Sequence, residues 1–226
     1  YMPGRFSLYQ DLSVEENLTF FATVYNTTIE ENYHLIEDIY KQIEPFKDRR
    51  AGRLSGGMKQ KLALCCSLIH KPEVLFLDEP TTGIDPVSRR ELWKMLKNLK
   101  AQGITIVVST TYMDEAVLCD RIALIRNGEF MTVDSPANIT KSFSDKLWSV
   151  QTDHKHRLMQ DLRNCFFVRS SFIFGDSFHI SFTPDGSPER LEDYLQESGH
   201  SNIRIGSVEA GVEDCFLAML KDGDQA

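Results

Sequence analysis

The sequence predicts an α/β domain built on a parallel sheet, followed by a smaller α+β domain. Three observations carry that reading. A short unbroken apolar run, VLFL (74–77), and a second strand-like stretch, ITIVVS (104–109), alternate with amphipathic helical stretches, the pattern of buried strands joined by crossover helices. After about Ser144 the pattern changes: Phe178, Ile180 and Phe182 alternate with His179 and Ser181, as in a sheet with one covered face. From there the order reads strand (LWSVQT), helix (HKHRLMQDLRN), strand (FFVRSS), strand (SFHISF), helix (SPERLEDYLQES), strand (NIRIGSV), which is the split-βαβ, ferredoxin-like arrangement.

The elements are legible in order. Ser13-x-x-Glu16 and Thr28-x-x-Glu31 are capping boxes, each opening an amphipathic helix. In the second helix Tyr33, Ile36, Tyr40 and Ile43 recur at helical spacing, and Pro45 is expected to stop it. A third helix is expected from Ser55 through Met58, Leu62, Cys65 and Ile69 to His70. The VLFL run then reads as a strand buried on both faces. Asp85-Pro86 supplies an N-cap and an N1 proline for a helix ending at Gly103. The ITIVVS strand follows, then a helical turn at MDEAVLC, a strand at RIALI and a hairpin turn at Asn127-Gly128. Gly175-Asp176 joins the middle strands of the second domain, and VEDCFLAML closes the chain as a helix.

Composition narrows the function classes. A chain of 226 residues with 42% hydrophobic and 26% charged residues is ordinary for a globular protein. A net charge of −8 argues against a nucleic-acid footprint, which clusters Lys and Arg on one face. The longest tempting apolar run, LALCCSLI (62–69), falls far short of the ~20 residues that span a bilayer, and no secretory leader is expected. Five cysteines without a CxxC pair suggest reduced thiols in a cytosolic protein rather than a zinc site or a disulfide framework. His154, His156, His179 and His200 in the second domain read as surface or sheet-face residues, not ligands.

The chemistry concentrates in four short stretches. In Leu54-Ser55-Gly56-Gly57-Met58-Lys59-Gln60, paired glycines let backbone approach a ligand while opening a helix. The free N–H groups and positive dipole end of that helix make an anion site. Val74-Leu75-Phe76-Leu77-Asp78-Glu79-Pro80 places two carboxylates at the end of an apolar strand, where an unpartnered charge is costly. The functional reading has Asp78 holding Mg²⁺ directly or through water, and Glu79 orienting or deprotonating an attacking water. Gly83-Ile84-Asp85-Pro86 forms a tight turn with a further carboxylate. The strand ending at Ser109 runs into Thr110-Thr111-Tyr112-Met113, at a strand end of the kind where α/β proteins bind ligands.

In this order and spacing, LSGGMKQ, VLFLDEP, GIDP and STTYMDEA resemble the signature loop, Walker B motif, D-loop and switch region of the ATP-binding cassette (ABC) ATPases. The resemblance covers about residues 1–143. It implies the C-terminal part of a P-loop NTPase-type cassette, with a helical subdomain at about 6–70, ahead of the ferredoxin-like accessory domain at 144–226. The wording around DEAxxCDRIAL is most similar to cassettes of ABC-2-type exporters, and YMPG and EPFKDRRAGRLSGGMKQKLAL to the first cassette of tandem exporter ATPases. The implied function is that of a nucleotide-binding subunit, which couples ATP and Mg²⁺ binding and hydrolysis to small-molecule export. Its implied partners are a second cassette, in the same chain or as a dimer, and an ABC-2-type membrane permease, with no nucleic acid. Its implied place is the cytoplasmic face of the membrane.

Three departures bear on activity. No Gly-Lys dipeptide occurs, so the P-loop motif is absent from this chain; the resemblance implies it upstream of Tyr1, and the chain alone is expected to be inactive and to expose apolar sheet surface. Gly4 stands at the family's Q-loop glutamine, and Thr111 at its switch histidine. The resemblance implies that Ser55, Gly56 and Gly57 serve the nucleotide of the partner cassette, and that Asp78, Glu79 and Thr111 serve a slow or degenerate site of the chain's own. Gln60, Asp85 and Gly4 are likewise implied to be nucleotide-binding positions. A Gly4→Gln restoration is expected to add to a Thr111→His gain. The alternatives are a regulatory cassette that does not hydrolyse ATP and a soluble ABC ATPase acting on ribosomes or DNA. In the helical subdomain, Tyr9, Phe20, Phe21 and Tyr25 are candidates for a groove that receives the permease.

Overall fold

The computed structural model describes residues 1–4 and 7–223; the expected first residue of the helical subdomain, Phe6, lies outside them. The chain divides into two compact units, Tyr1–Thr111 and Tyr112–Ala226.

The first unit opens with helices α1 (Val14–Val24) and α2 (Ile29–Tyr40). Both capping boxes form: Ser13 accepts from the Glu16 N–H at 3.1 Å and Thr28 from that of Glu31 at 3.2 Å, while each glutamate bonds back to the cap's N–H. Pro45 is not what ends α2. The Gln42 and Ile43 N–H groups bond the carbonyls of Ile39 and Tyr40, tightening the last turn to 3₁₀ spacing. Pro45 then sits inside a separate short turn, Glu44–Phe46. The N-terminal loop is anchored by Asn17, fully buried on α1. It accepts from the Tyr9 N–H at 3.0 Å and donates to the carbonyls of Tyr9, Leu12 and Ser13. Asn17→Leu would strand a buried N–H and several carbonyls, so we expect a loss of about 2–3 kcal/mol. The check is the urea midpoint, and an unchanged midpoint would count against this role.

Helix α3 (Gly56–Leu68) packs against α1 and α2, joining Leu62, Leu64, Leu68 and Ile69 to Leu18, Ile36 and Ile43 in the core. Strand β1 (Val74–Asp78) follows, then α4 (Pro86–Ala101) and β2 (Thr105–Ser109), and β1 and β2 pair in parallel as expected. The expectation that these strands are buried on both faces does not hold. Leu75 and Leu77 are buried, whereas Val74, Phe76 and Val107 are 42%, 50% and 47% exposed. An unbroken apolar run does mark a strand, but cover on its second face needs another layer, and among the described residues none lies there.

The second unit begins with a helical turn, α5 (Met113–Ala116), and a hairpin of β3 (Ile122–Arg126) and β4 (Glu129–Asp134). Its turn holds Asn127 at φ 51° and Gly128 at φ 83°, the left-handed pair that matches strand twist in a two-residue loop. After α6 (Pro136–Lys141) come β5 (Leu147–Gln151), α7 (Lys155–Asn164), β6 (Val168–Phe174), β7 (Ser177–Phe182), α8 (Pro188–Glu197), β8 (Arg204–Val208) and α9 (Val212–Gly223). The last four strands form one sheet in the order β6-β7-β5-β8, with every neighbouring pair antiparallel. Leu158 and Leu162 of α7 and Leu191 and Leu195 of α8 close a core over Val150, Phe178 and Ile180.

Helix α9 ties to β7: His179 on the strand and Asp214 on the helix bond at 2.8 Å, with Phe174 stacked on the imidazole. His154 and His156 are exposed, as expected. His200 is not a surface residue; it is buried, bonded to Asp161 at 2.8 Å and Thr152 at 3.2 Å, because the turn after α8 carries it beneath α7. Among the described residues no His, Cys, Asp or Glu group of three or more is arranged to hold a metal. None of the five cysteines forms a disulfide, and burial pushes the Cys66, Cys165 and Cys215 thiols up, away from the reactive thiolate. Among the described residues no helix is long and apolar enough to cross a membrane.

Candidate active site

Parallel pairing of β1 and β2 sets Asp78 opposite Ser109 at the carboxyl ends of both strands. On the other side of β1 the Met2 N–H bonds the Phe76 carbonyl at 2.8 Å, and the Met2 carbonyl accepts from the Asp78 N–H at 2.9 Å. That contact lays Gly4 against the strand end. A Cβ on Gly4 would stand 2.8 Å from the Asp78 carbonyl oxygen and 3.5 Å from the Glu79 Cβ, so the close approach requires glycine.

The carboxylates are held individually. Asp78 is exposed; its Oδ1 accepts from the Ser109 hydroxyl at 2.5 Å, and its Oδ2 receives a longer contact from the Tyr1 hydroxyl at 3.4 Å. Desolvation, then the Asp78 charge, raises the Tyr1 phenol above its ordinary range. Glu79 adopts φ 44°, a left-handed conformation uncommon for a side chain of this size and concentrated at functional sites. Its N–H meets both the Ser109 carbonyl at 3.0 Å and the Ser109 hydroxyl at 3.1 Å, and its Oε2 accepts from the Thr82 hydroxyl at 2.9 Å. Thr111 is exposed, two residues beyond the end of β2.

A second cluster forms at the start of α3. Ser55 caps that helix, accepting from the Met58 N–H at 3.3 Å, which leaves its O–H to donate outward. A Cβ on Gly56 would lie 3.2 Å from the Gly83 carbonyl, and one on Gly57 would lie 2.5 Å from the Ser88 hydroxyl. The paired glycines therefore let the helix start rest on the turn that opens α4. Gln60 is half-buried on the next turn of α3.

Asp85 has a structural task in this turn. It caps α4 by accepting from the Val87 and Ser88 N–H groups at 2.9 and 3.0 Å. The Ser88 hydroxyl, and then these N–H groups, hold its carboxyl below the usual range. A depressed carboxyl stabilises the fold above its unfolded value, and this contribution is lost as pH falls through the folded value. The melting-temperature gap between the unsubstituted chain and Asp85→Ala is thus expected to be constant near neutrality and to narrow on acidification; a gap independent of pH would contradict the cap.

The structure thus brings Gly4, Asp78 and Glu79 together at the strand ends, and Ser55, Gly56 and Gly57 together with Gly83 and Asp85. Sequence reasoning missed Ser109, Thr82 and Tyr1. Ser109 was the most findable, since in-register pairing of two parallel strands would set their last residues side by side. The donor set suits magnesium carried by a phosphate ligand: one exposed, oriented carboxylate with a second beside it. Mg²⁺ keeps several waters and is usually held by one or two carboxylates plus substrate phosphates.

The chain that carries these residues has known relatives. The family described as "ABC transporter" matches residues 1–82. The chain is 36% identical over 224 residues to a probable multidrug ABC transporter ATP-binding protein, YbhF, of Escherichia coli K12, which covers 97% of this chain and 38% of that protein. It is 37% identical over 223 residues to the Nod factor export ATP-binding protein I of Burkholderia orbicola AU 1054, covering 96% of this chain and 71% of that protein. The solved structure of cbiO1 from Clostridium perfringens, part of the ABC transporter complex cbiONQ, matches at TM-score 0.52 and 30% identity over 60% of this chain and 55% of its own. An ATP-binding subunit of an ABC transporter matches at TM-score 0.57 and 27% identity over 63% of this chain and 61% of its own. The chain belongs to the ABC transporter ATP-binding proteins, a family of ATPases. It spans less than two fifths of the length of its multidrug relatives.

Proposed function

We propose that this chain forms part of the nucleotide-binding subunit of an ABC-2-type exporter, with its own ATP site slowed by Thr111 and Gly4. The observation that carries the reading is the pairing of Asp78 and Glu79 at parallel strand ends, with Glu79 held in a left-handed conformation and bonded by Ser109 and Thr82. When bound, Mg²⁺ would be held by Asp78 and would neutralise phosphate charge. Thr82 holds Oε2 of Glu79, leaving Oε1 to accept a proton from the attacking water. Thr111 supplies a hydroxyl where a longer, chargeable donor would reach further.

The partner cassette's nucleotide would meet Ser55 and the N-terminus of α3, whose positive end favours phosphate. The chain's cassette portion is assigned to about 1–143. The remainder is read as a ferredoxin-like accessory domain, supported by its βαββαβ order and antiparallel β6-β7-β5-β8 sheet. The names of the probable multidrug and Nod factor export relatives support export, and the proposed place of the subunit is the cytoplasmic side of a membrane beside a permease. Among the candidate groove aromatics, Tyr9, Phe20 and Phe21 form a chain of edge-to-face rings at 4.7 and 5.3 Å, whereas Tyr25 stacks separately on His70. The first three are therefore the residues assigned to permease contact. A non-hydrolysing regulatory cassette is the second reading, favoured by Thr111 and Gly4.

Ser55→Arg in the full-length protein tests the shared-site arrangement. It fills the space before the α3 N-terminus, and turnover at the partner's site should fall about tenfold, the loss of roughly one dipole-and-hydrogen-bond contact. Steady-state phosphate release is the measurement; wild-type turnover in this variant would argue against a site shared in trans.

A further inference from the structure

We infer that Ser109 is a positioning residue for the metal-bearing nucleotide, clamping the Asp78 carboxylate through its hydroxyl and the Glu79 backbone through its carbonyl and hydroxyl together. The inference rests on the reading of Asp78 as the metal carboxylate. Three bonds meet at this one residue: Oγ to Asp78 Oδ1 at 2.5 Å, the Glu79 N–H to Oγ at 3.1 Å, and the same N–H to the Ser109 carbonyl at 3.0 Å. Their polarity is determined. An ionised carboxylate only accepts and an amide N–H only donates, so the single hydroxyl proton points at Asp78 while a lone pair faces Glu79. A hydroxyl donating to an ionised oxygen makes the shorter, stronger class of hydrogen bond.

Strand stitching alone does not account for the hydroxyl. Five paired positions already hold β1 against β2, and the Ser109 carbonyl holds the Glu79 N–H without help from Oγ. What the hydroxyl adds is orientation of the Asp78 carboxylate. With Oδ1 engaged by Ser109 and Oδ2 only loosely approached by Tyr1 at 3.4 Å, the carboxylate has one fixed oxygen and one left to face a ligand. Hydrogen-bond partners that orient a ligating group typically contribute 10–100-fold to metal affinity.

The test uses the full-length protein, Mn²⁺ as the probe for Mg²⁺, and a non-hydrolysable ATP analogue, with bound and free Mn²⁺ read by electron paramagnetic resonance. The share of nucleotide-dependent Mn²⁺ binding that Asp78→Ala removes defines this site. Ser109→Ala should weaken that share about tenfold while leaving analogue affinity in EDTA unchanged, and Ser109→Thr, which keeps the hydroxyl, should restore it. If Asp78→Ala removes no Mn²⁺ binding, the reading of Asp78 fails and the inference falls with it. If Asp78→Ala removes it but Ser109→Ala does not weaken it, or Ser109→Thr does not restore it, the inference about Ser109 alone is overturned.

Discussion

Glu79→Gln in the full-length protein should lower phosphate release from this site by about 10²–10⁴-fold, the usual contribution of a positioned general base. The substitution is a clean one. Glutamine keeps an oxygen for the Thr82 hydroxyl and a backbone N–H for Ser109, so the strand end and its left-handed residue persist while the proton acceptor is lost. Single-turnover release, alongside analogue affinity, separates the two effects: release should collapse while affinity holds. A change of only a few-fold would mean that Glu79 takes no proton here, and the non-hydrolysing reading would replace the catalytic one.

Thr111→His should act in the opposite direction. The threonine hydroxyl sits on a short arm and carries no charge, and one preorganised donor toward developing charge is worth about 10²–10³ in rate. A rise in turnover approaching that range is the expected result, and no rise would place the limit elsewhere. Gly4→Gln is where the structure reverses the expectation drawn from motif comparison. Restoring the family residue should add to the gain, yet a Cβ at Gly4 would lie 2.8 Å from the Asp78 carbonyl oxygen. That oxygen belongs to the backbone of the strand carrying Asp78 and cannot swing aside as a flexible side chain would. We therefore expect the Thr111→His, Gly4→Gln double variant to turn over more slowly than Thr111→His alone. Residues near the site share partners, so their effects are not expected to add.

Much of the local structure was legible in the sequence because it is encoded locally. The capping boxes at Ser13 and Thr28, the Asp85-Pro86 helix start and the Asn127-Gly128 hairpin each depend on residues a few positions apart, and each forms as read. The four ordered motifs, from the signature at Ser55 to the switch at Thr111, likewise identified the family without any contact being known. The end of α2 was misread for the same local reason: proline announces a stop, but the preceding turn had already tightened to 3₁₀ bonds.

What the tertiary structure decided concerns groups that meet across the chain. Apolarity along β1 and β2 marked strands, but only packing shows that Leu75 and Leu77 are covered and Val74 and Phe76 are not. His200 has no motif, and its burial against Asp161 and Thr152 follows from where α7 and the turn before β8 come together. At the site, the sequence by itself determined which carboxylates are present and where they stand in the order of motifs. That Gly4 touches the Asp78 backbone and that Ser109 bonds both Asp78 and Glu79 were decided by the strand register, whereas Thr82 reaches Glu79 within one local turn. Hydrogen bonds and close contacts depend on distances of a few tenths of an ångström, which pairing of strands sets and linear spacing does not.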